Sequence, residues 1–375
     1  MKLAFYAPMK SPDHPVPSGD RRMGRLLFQA LERAECEVEL ASKLRSFDKA
    51  GDAAFQAKVQ EEGQREAARL IAKWRAHPAE APKGWFTYHL YHKAPDWIGP
   101  LVCEALQIPY MVAEASHAPK RAAGPWESGY AAAEQAIRSA RAVFHMTRLD
   151  GECLKPIIAP GHELILLPPF IDMEAFQEQA VPVDVAAEVA RAGGRKGVQN
   201  LLCVAMMRDG DKMESYRQLG QGLALLARDD WQLLVIGEGE MRATVEKALS
   251  PIGERAVYLG AMAPEALPAW YEFADLYVWP AHGEAYGMAF LEAQGCGLPV
   301  VAGDLRGVPD VVLRGVTGIL TSPGDSAAFA TAIDDLLSDP ARRQSMGERA
   351  RAFVAEERSI AHAAGLLKSH IERIL

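Results

Sequence analysis

Two glutamates, Glu284 and Glu292, stand with seven residues between them, and Tyr286, Gly287 and Met288 fill the middle of that gap. Small residues around Gly287 leave backbone N–H groups uncovered where a helix begins, and the helix dipole adds partial positive charge there. An anion such as a diphosphate suits that position. Glu292 falls about one and a half turns into the same helix, at roughly 1.5 Å per residue. Its carboxylate can accept two hydrogen bonds from a ribose diol while phosphates sit at the helix start. Glu284, ahead of the helix on a loop, is free to reach the group beyond the diphosphate. The bland alternative makes Glu284 a solvated loop charge and Glu292 an exposed helix residue, because carboxylates are commonly exposed. As a helix-surface position, Glu292 should tolerate substitution at a cost of no more than about 0.5 kcal/mol.

The elements that must position these groups follow from the flanking pattern. Residues 274–279 are an apolar run that reads as a buried strand, and Pro280 stops it. His282, Gly283 and Glu284 make a short polar loop. The helix then starts near Gly287, with Phe290, Leu291 and Ala293 as its apolar stripe, and Pro299-Val300-Val301-Ala302 is the next strand. The loop therefore sits at the carboxyl end of a strand, where open parallel sheets bind ligands.

The stretch resembles the signature of the family 4 glycosyltransferases, a retaining group with the GT-B fold: α/β, two doubly wound Rossmann-like domains facing across a cleft. Glu284, Tyr286-Gly287, Glu292 and Gly297-Leu298-Pro299-Val300-Val301 match its elements one by one. The resemblance covers most of the chain and is densest from Leu201 to Ala330. It implies transfer of a sugar from a nucleoside-diphosphate donor to an acceptor, with retention of configuration and with neither metal nor cofactor.

The same resemblance assigns roles. Arg208 and Lys212 would hold the donor diphosphate, whose negative charge grows as the sugar leaves. Gly237 and Gly239 would lie beside the nucleotide, and Tyr286, Gly287, Met288 and Glu292 would complete the donor site. Glu284 and His117 would face the transferred sugar. Gly19 would sit in a loop near the donor phosphates and the acceptor, with Asp20 replacing the usual second glycine. Residues 1–176 would form the acceptor-side domain, completed by a helix at about 355–375, and residues 177–354 the donor domain.

Composition narrows the class. A net charge of -8 argues against a nucleic-acid partner, since phosphate backbones call for a basic face. The five cysteines are scattered, odd in number and without a C-x-x-C pair, as expected of a reducing cytoplasm without a zinc site. No apolar run reaches the ~20 residues that span a bilayer, which leaves peripheral membrane contact open. The length fits about two domains.

Elsewhere, Pro8, Pro12, Pro15 and Pro17 mark a loop after the first strand. Residues 51–76 read as a long polar helix broken by Gly63. His89-Leu90-Tyr91-His92-Lys93 is either a cleft wall or packing. Lys120 and Arg121, beyond His117, could meet an anionic acceptor. Two rival functions stay open: a nucleotide-sugar epimerase of the same architecture, and a non-catalytic nucleotide-sugar-binding subunit.

Overall fold

The computed structural model describes residues 1–16 and 18–375; Pro17 of the proline-rich loop lies outside them. Its short apolar runs form strands, and every pairing among the strands is parallel. The first compact unit comprises Met1–Pro168 and Ile360–Leu375, the second Pro169–Ser359. In the first, β1 (Lys2–Tyr6), β2 (Glu37–Leu40), β3 (Gly84–Leu90), β4 (Tyr110–Ala115), β5 (Ala142–His145) and β6 (Glu163–Leu166) lie in the order β2-β1-β3-β4-β5-β6. In the second, β7 (Gln199–Val204), β8 (Trp231–Ile236), β9 (Ala256–Gly260), β10 (Leu276–Trp279), β11 (Val300–Gly303) and β12 (Gly318–Thr321) lie in the order β12-β11-β10-β7-β8-β9.

Parallel neighbours need long crossovers, and helices on both faces leave the strands buried on both sides. This is why β8 and β10 are buried at every position despite lacking polar alternation. Each sheet grows outward in both directions from its first strand. The order reverses between β1 and β3 in the first unit and between β7 and β10 in the second. At such a reversal the flanking loops part at the carboxyl ends of the strands and open a crevice.

Two details depart from expectation or sharpen it. The helix Ala53–Ala76 runs unbroken through Gly63. A Cβ there would come 2.4 Å from the Cβ of Trp97, so the glycine serves packing rather than a break. The helix is also less polar in role than in composition, since Val59, Ala67, Leu70 and Trp74 are buried. At the other end of the chain, Pro340–Glu357 is part of the second unit, and Ile360–Ile374 returns to the first. There it packs on the helix Gly19–Arg33, tied by a Lys368–Glu35 ion pair and by His370 Nδ1 2.9 Å from Glu163 Oε2.

Gly237 and Gly239, after β8, let one loop lie against another. Gly237 N donates to Gly260 O at 2.8 Å, and Met207 N to Glu238 O at 2.9 Å. A Cβ on Gly237 would stand 1.9 Å from Ala205 O, and one on Gly239 2.1 Å from Met207 O. Gly237→Ala should therefore destabilise the chain by about 1–3 kcal/mol, the usual cost of overpacking. Urea unfolding of the purified variant checks this, and an unchanged midpoint would mean that the loops are not held together.

Candidate functional site

At the reversal in the second unit, the loop after β7 runs through Arg208 to Gly210, and the helix Asp211–Leu223 follows. Arg208 is exposed and has no ion pair among the described residues. Lys212 turns toward the loop after β10, where its ammonium pairs with Glu284 Oε1. Trp279 Nε1 donates to the same oxygen at 3.3 Å, and the Lys212 ammonium lies 5.6 Å from the Trp279 ring centroid. Side-chain exposure is 34% for Lys212 and 16% for Glu284, so water screens the pair only partly.

The rest of that loop is fixed by close approach. Gly283 has φ +70, and a Cβ on it would fall 2.1 Å from Asp211 Cγ. Asp211 in turn stands 3.8 Å from His282 Nε2. Arg306 Nη1 donates to Gly283 O at 3.0 Å, and Gly307 N to Ala285 O at 2.9 Å. Tyr286 is buried. Gly287, at φ 80, begins the helix Met288–Gly295, and no side chain caps it. The first N–H groups of a helix have no partner within it, so this end favours an anion.

Glu292 corrects the reading as a surface residue. It is 4% exposed, and its Oε2 accepts a 2.7 Å hydrogen bond from the hydroxyl of Tyr271, itself fully buried on the helix Leu267–Phe273. The apolar stripe seen in the sequence does not separate faces here, because Phe290, Leu291, Glu292, Ala293 and Gln294 are all buried.

In the first unit, the predicted residues lie at strand ends. Gly19 opens its helix behind the cap Ser18, whose Oγ accepts from Arg21 N at 3.2 Å, and the space where a Cβ would stand is empty. His117 follows β4 with its ring nearly enclosed: Nε2 lies 2.8 Å from the Tyr130 hydroxyl and 3.6 Å from Glu134 Oε2. Lys93 and Arg121 turn to Trp126, with their charges 4.4 and 5.8 Å from its ring. A separate depression of about 490 Å³ lies at the opposite, amino end of the strands, lined by Glu104, Gln107, Arg141 and His162.

A second cluster surrounds His89, the first residue of the segment that the sequence left as cleft wall or packing. Its Nδ1 stands 3.4 Å from Asp20 Oδ1, and Glu114 and Asp150 act on it electrostatically. Both His89 (φ 62) and Glu114 (φ 56) adopt left-handed backbone that side chains disfavour. Burial works to lower the His89 pKa, but Glu114, Asp20 and Asp150 outweigh it and the pKa is raised. Burial raises Glu114, and His89 offsets only part of that. Burial also raises Asp150 against its Thr147 hydrogen bond. Asp20 resists burial through the neighbouring imidazole and is lowered.

Residues 198–339 match the family described as glycosyl transferases group 1. The second unit carries a glycosyl transferases group 1 domain. Over 205 residues, 51% of this chain and 52% of the relative, the sequence is 33% identical to the GDP-mannose-dependent alpha-(1-6)-phosphatidylinositol monomannoside mannosyltransferase of Mycolicibacterium smegmatis. It is 32% identical to the 2-deoxystreptamine glucosyltransferase of Streptomyces kanamyceticus over 166 residues, 43% of each chain. The chain thus spans about half the length of the curated relatives it matches. The Anabaena protein Alr3699/HepE, solved with UDP, superposes with a TM-score of 0.75 over 100% of both chains at 16% identity. That likeness shows the GT-B fold.

Within the group 1 domain the structure brings Lys212 and Glu284 into contact, sets Gly237 and Gly239 against the loop leading to Arg208, and leaves Glu292 to Tyr271. Tyr271 and Trp279 had no signal in the sequence beyond apolar patterning. A double-mutant cycle of Lys212→Met and Glu284→Gln should give a coupling of about 0.5–1 kcal/mol, at the low end because both groups touch water. Chemical denaturation of the four proteins measures it, and additive effects would show that the pair does not form in solution.

Proposed function

We propose that this chain transfers a glycosyl group from a nucleoside-diphosphate sugar to an acceptor, with retention at the anomeric carbon, and that the second unit holds the donor. One observation carries the reading: the Lys212–Glu284 pair stands at the strand-order reversal of the group 1 domain, beside an uncapped helix start. A diphosphate arriving there competes with Glu284 for the Lys212 ammonium. Lys212 and Arg208 then meet the phosphates together with the N–H groups after Gly287, and Met288 and Tyr286 shape the wall beside them. Positive groups fixed in advance stabilise the charge that grows on the departing diphosphate, so this reading assigns that task to protein groups rather than to a metal ion.

Released from Lys212, the Glu284 carboxylate accepts from hydroxyls of the transferred sugar, while Trp279 Nε1 keeps it in place. Glu292 accepts from the ribose. In the first unit, the His117 ring is steadied by Tyr130 and Glu134, and Gly19 leaves the start of its helix without a side chain. The free state of all five cysteines supports a reducing compartment, the cytoplasm. No helix among the described residues is long and apolar enough to cross a membrane.

Calorimetric titration with UDP, GDP and ADP tests the donor half. One of the three should bind, and failure of all three would overturn the reading. Arg208→Ala should weaken the bound nucleoside diphosphate by about 1.5–3 kcal/mol and leave the bare nucleoside unaffected. Equal losses for both would mean that the loop is no phosphate clamp. Glu292→Gln should weaken the ribonucleotide more than its 2′-deoxy analogue, because at least one ribose hydroxyl loses a charge-assisted partner. Equal losses would remove Glu292 from the ribose. Isomerised sugar nucleotide formed without any acceptor would favour an epimerase instead.

A further inference from the structure

We infer that the depression at the amino end of the first sheet is a binding site for a small zwitterion of the α-amino acid kind, with its carboxylate on Arg141 and its ammonium on Glu104. Every residue that lines the depression belongs to the first unit. Its volume of about 490 Å³ falls within the range of small-molecule sites, roughly 300–1,000 Å³. It lies where β4, β5 and β6 begin, whereas Gly19 and His117 follow the far ends of their strands. The site therefore stands apart from the transfer reaction and does not depend on it.

Two charges in this depression do not meet. Arg141 and Glu104 have opposite sign and line the same space, yet neither forms an ion pair with the other or with any described residue. Arg141 is nonetheless held in place. Its N donates to Tyr110 O at 2.7 Å, its O accepts from Glu163 N at 3.0 Å, and its Nη1 donates to Gly161 O at 2.6 Å. That leaves Nε and Nη2, the edge of the guanidinium that meets a carboxylate through two parallel hydrogen bonds. Glu104 stands on the helix Gly99–Leu106, which ends at Gln107 in left-handed backbone, φ 54. The Gln107 amide folds back to donate to Glu104 O at 2.7 Å, which fixes the wall that carries the carboxylate.

A separate observation marks the same corner. His162, also in the lining, has its Nδ1 shut off from water and without a hydrogen-bond partner among the described residues. Buried polar atoms are almost always paired, so an orphan at the edge of a depression points to an occupant. The carbonyl that Arg141 grips belongs to the residue just before His162. A turn of the half-buried ring presents Nδ1 to a group bound on the guanidinium.

The chemistry of the occupant follows. An anion alone would leave Glu104 unpaired, and a cation alone would leave Arg141 so. A zwitterion answers both, because a carboxylate accepts from the guanidinium and an ammonium donates to the glutamate. Ile108, Tyr110 and Ile374 give the rest of the lining apolar surface, which suits an aliphatic side chain.

The test uses the full chain and three compounds of one size: L-leucine, 4-methylpentanoate, which lacks the ammonium, and 3-methylbutylamine, which lacks the carboxylate. Calorimetry or ligand-observed magnetic resonance should find leucine bound roughly tenfold more tightly than either analogue, the size of effect one charge-assisted contact gives. Glu104→Gln should remove the advantage over 4-methylpentanoate, and Arg141→Gln the advantage over 3-methylbutylamine. Both positions are exposed, and melting curves of the two variants confirm that they fold. Leucine bound no better than the analogues, no binding of leucine at all, or variants that keep both preferences would each overturn the inference.

Discussion

A parallel sheet must be covered on both faces, because every crossover lays a helix against it. The place such a sheet cannot cover is the point where successive strands begin to be added on the other side. Both sheets of this chain obey the constraint, and each has one reversal, β1 against β3 and β7 against β10. Part of the unusual backbone follows the same map. His89 and Glu114 flank one reversal, and Ala281, Gly283 and Gly287, also at positive φ, flank the other. Glu35 and Gln107, also at positive φ, instead precede β2 and β4, and the strands are mainly apolar, with Thr87, Gln232 and Thr321 among their buried polar residues.

Around the second reversal, Lys212 and Arg208 accompany an uncapped helix start, and the nearby Glu284 is already neutralised by Lys212. Around the first, Asp20 stands 3.4 Å from His89, and Asp150 is acted on by both His89 and His145. A protein with an overall charge of -8 presents a diffuse negative field, yet the fold sets Arg208 and Lys212 together at the reversal in the second unit. Net charge therefore ruled on the class of partner and said nothing about either site.

What could be read from the sequence was what lies close together along it. The strand, loop and helix around Glu284 and Glu292 occupy one short stretch, and so do Arg208 and Lys212, so a family resemblance could be matched to them along the sequence. The group around His89 comes from four separate segments, each ending a different strand or opening a different helix, and only the sheet order brings them together. Glu292 was misread as exposed for a related reason. Helical periodicity locates a face but not the neighbours of a short helix, and here Tyr271 arrives from another helix to enclose the carboxylate. Gly63 was misread because a glycine at a helix crossing and a glycine at a helix end look alike in a sequence; Trp97 decides between them.

The Tyr271–Glu292 hydrogen bond also has a thermodynamic meaning. A carboxylate held in the core by a tyrosine gave up its rotamer freedom when the chain folded, and has little left to lose when a ligand arrives. Arg208, exposed and unpaired, keeps that freedom and must surrender up to about 2 kcal/mol of side-chain entropy to grip anything. The two ends of one ligand would then bind with different signatures, a preformed contact at one and an ordering transition at the other. Of the two ends, the one that Arg208 serves is where affinity would weaken faster on warming, and where the chain could tune how long a ligand stays without rebuilding its core.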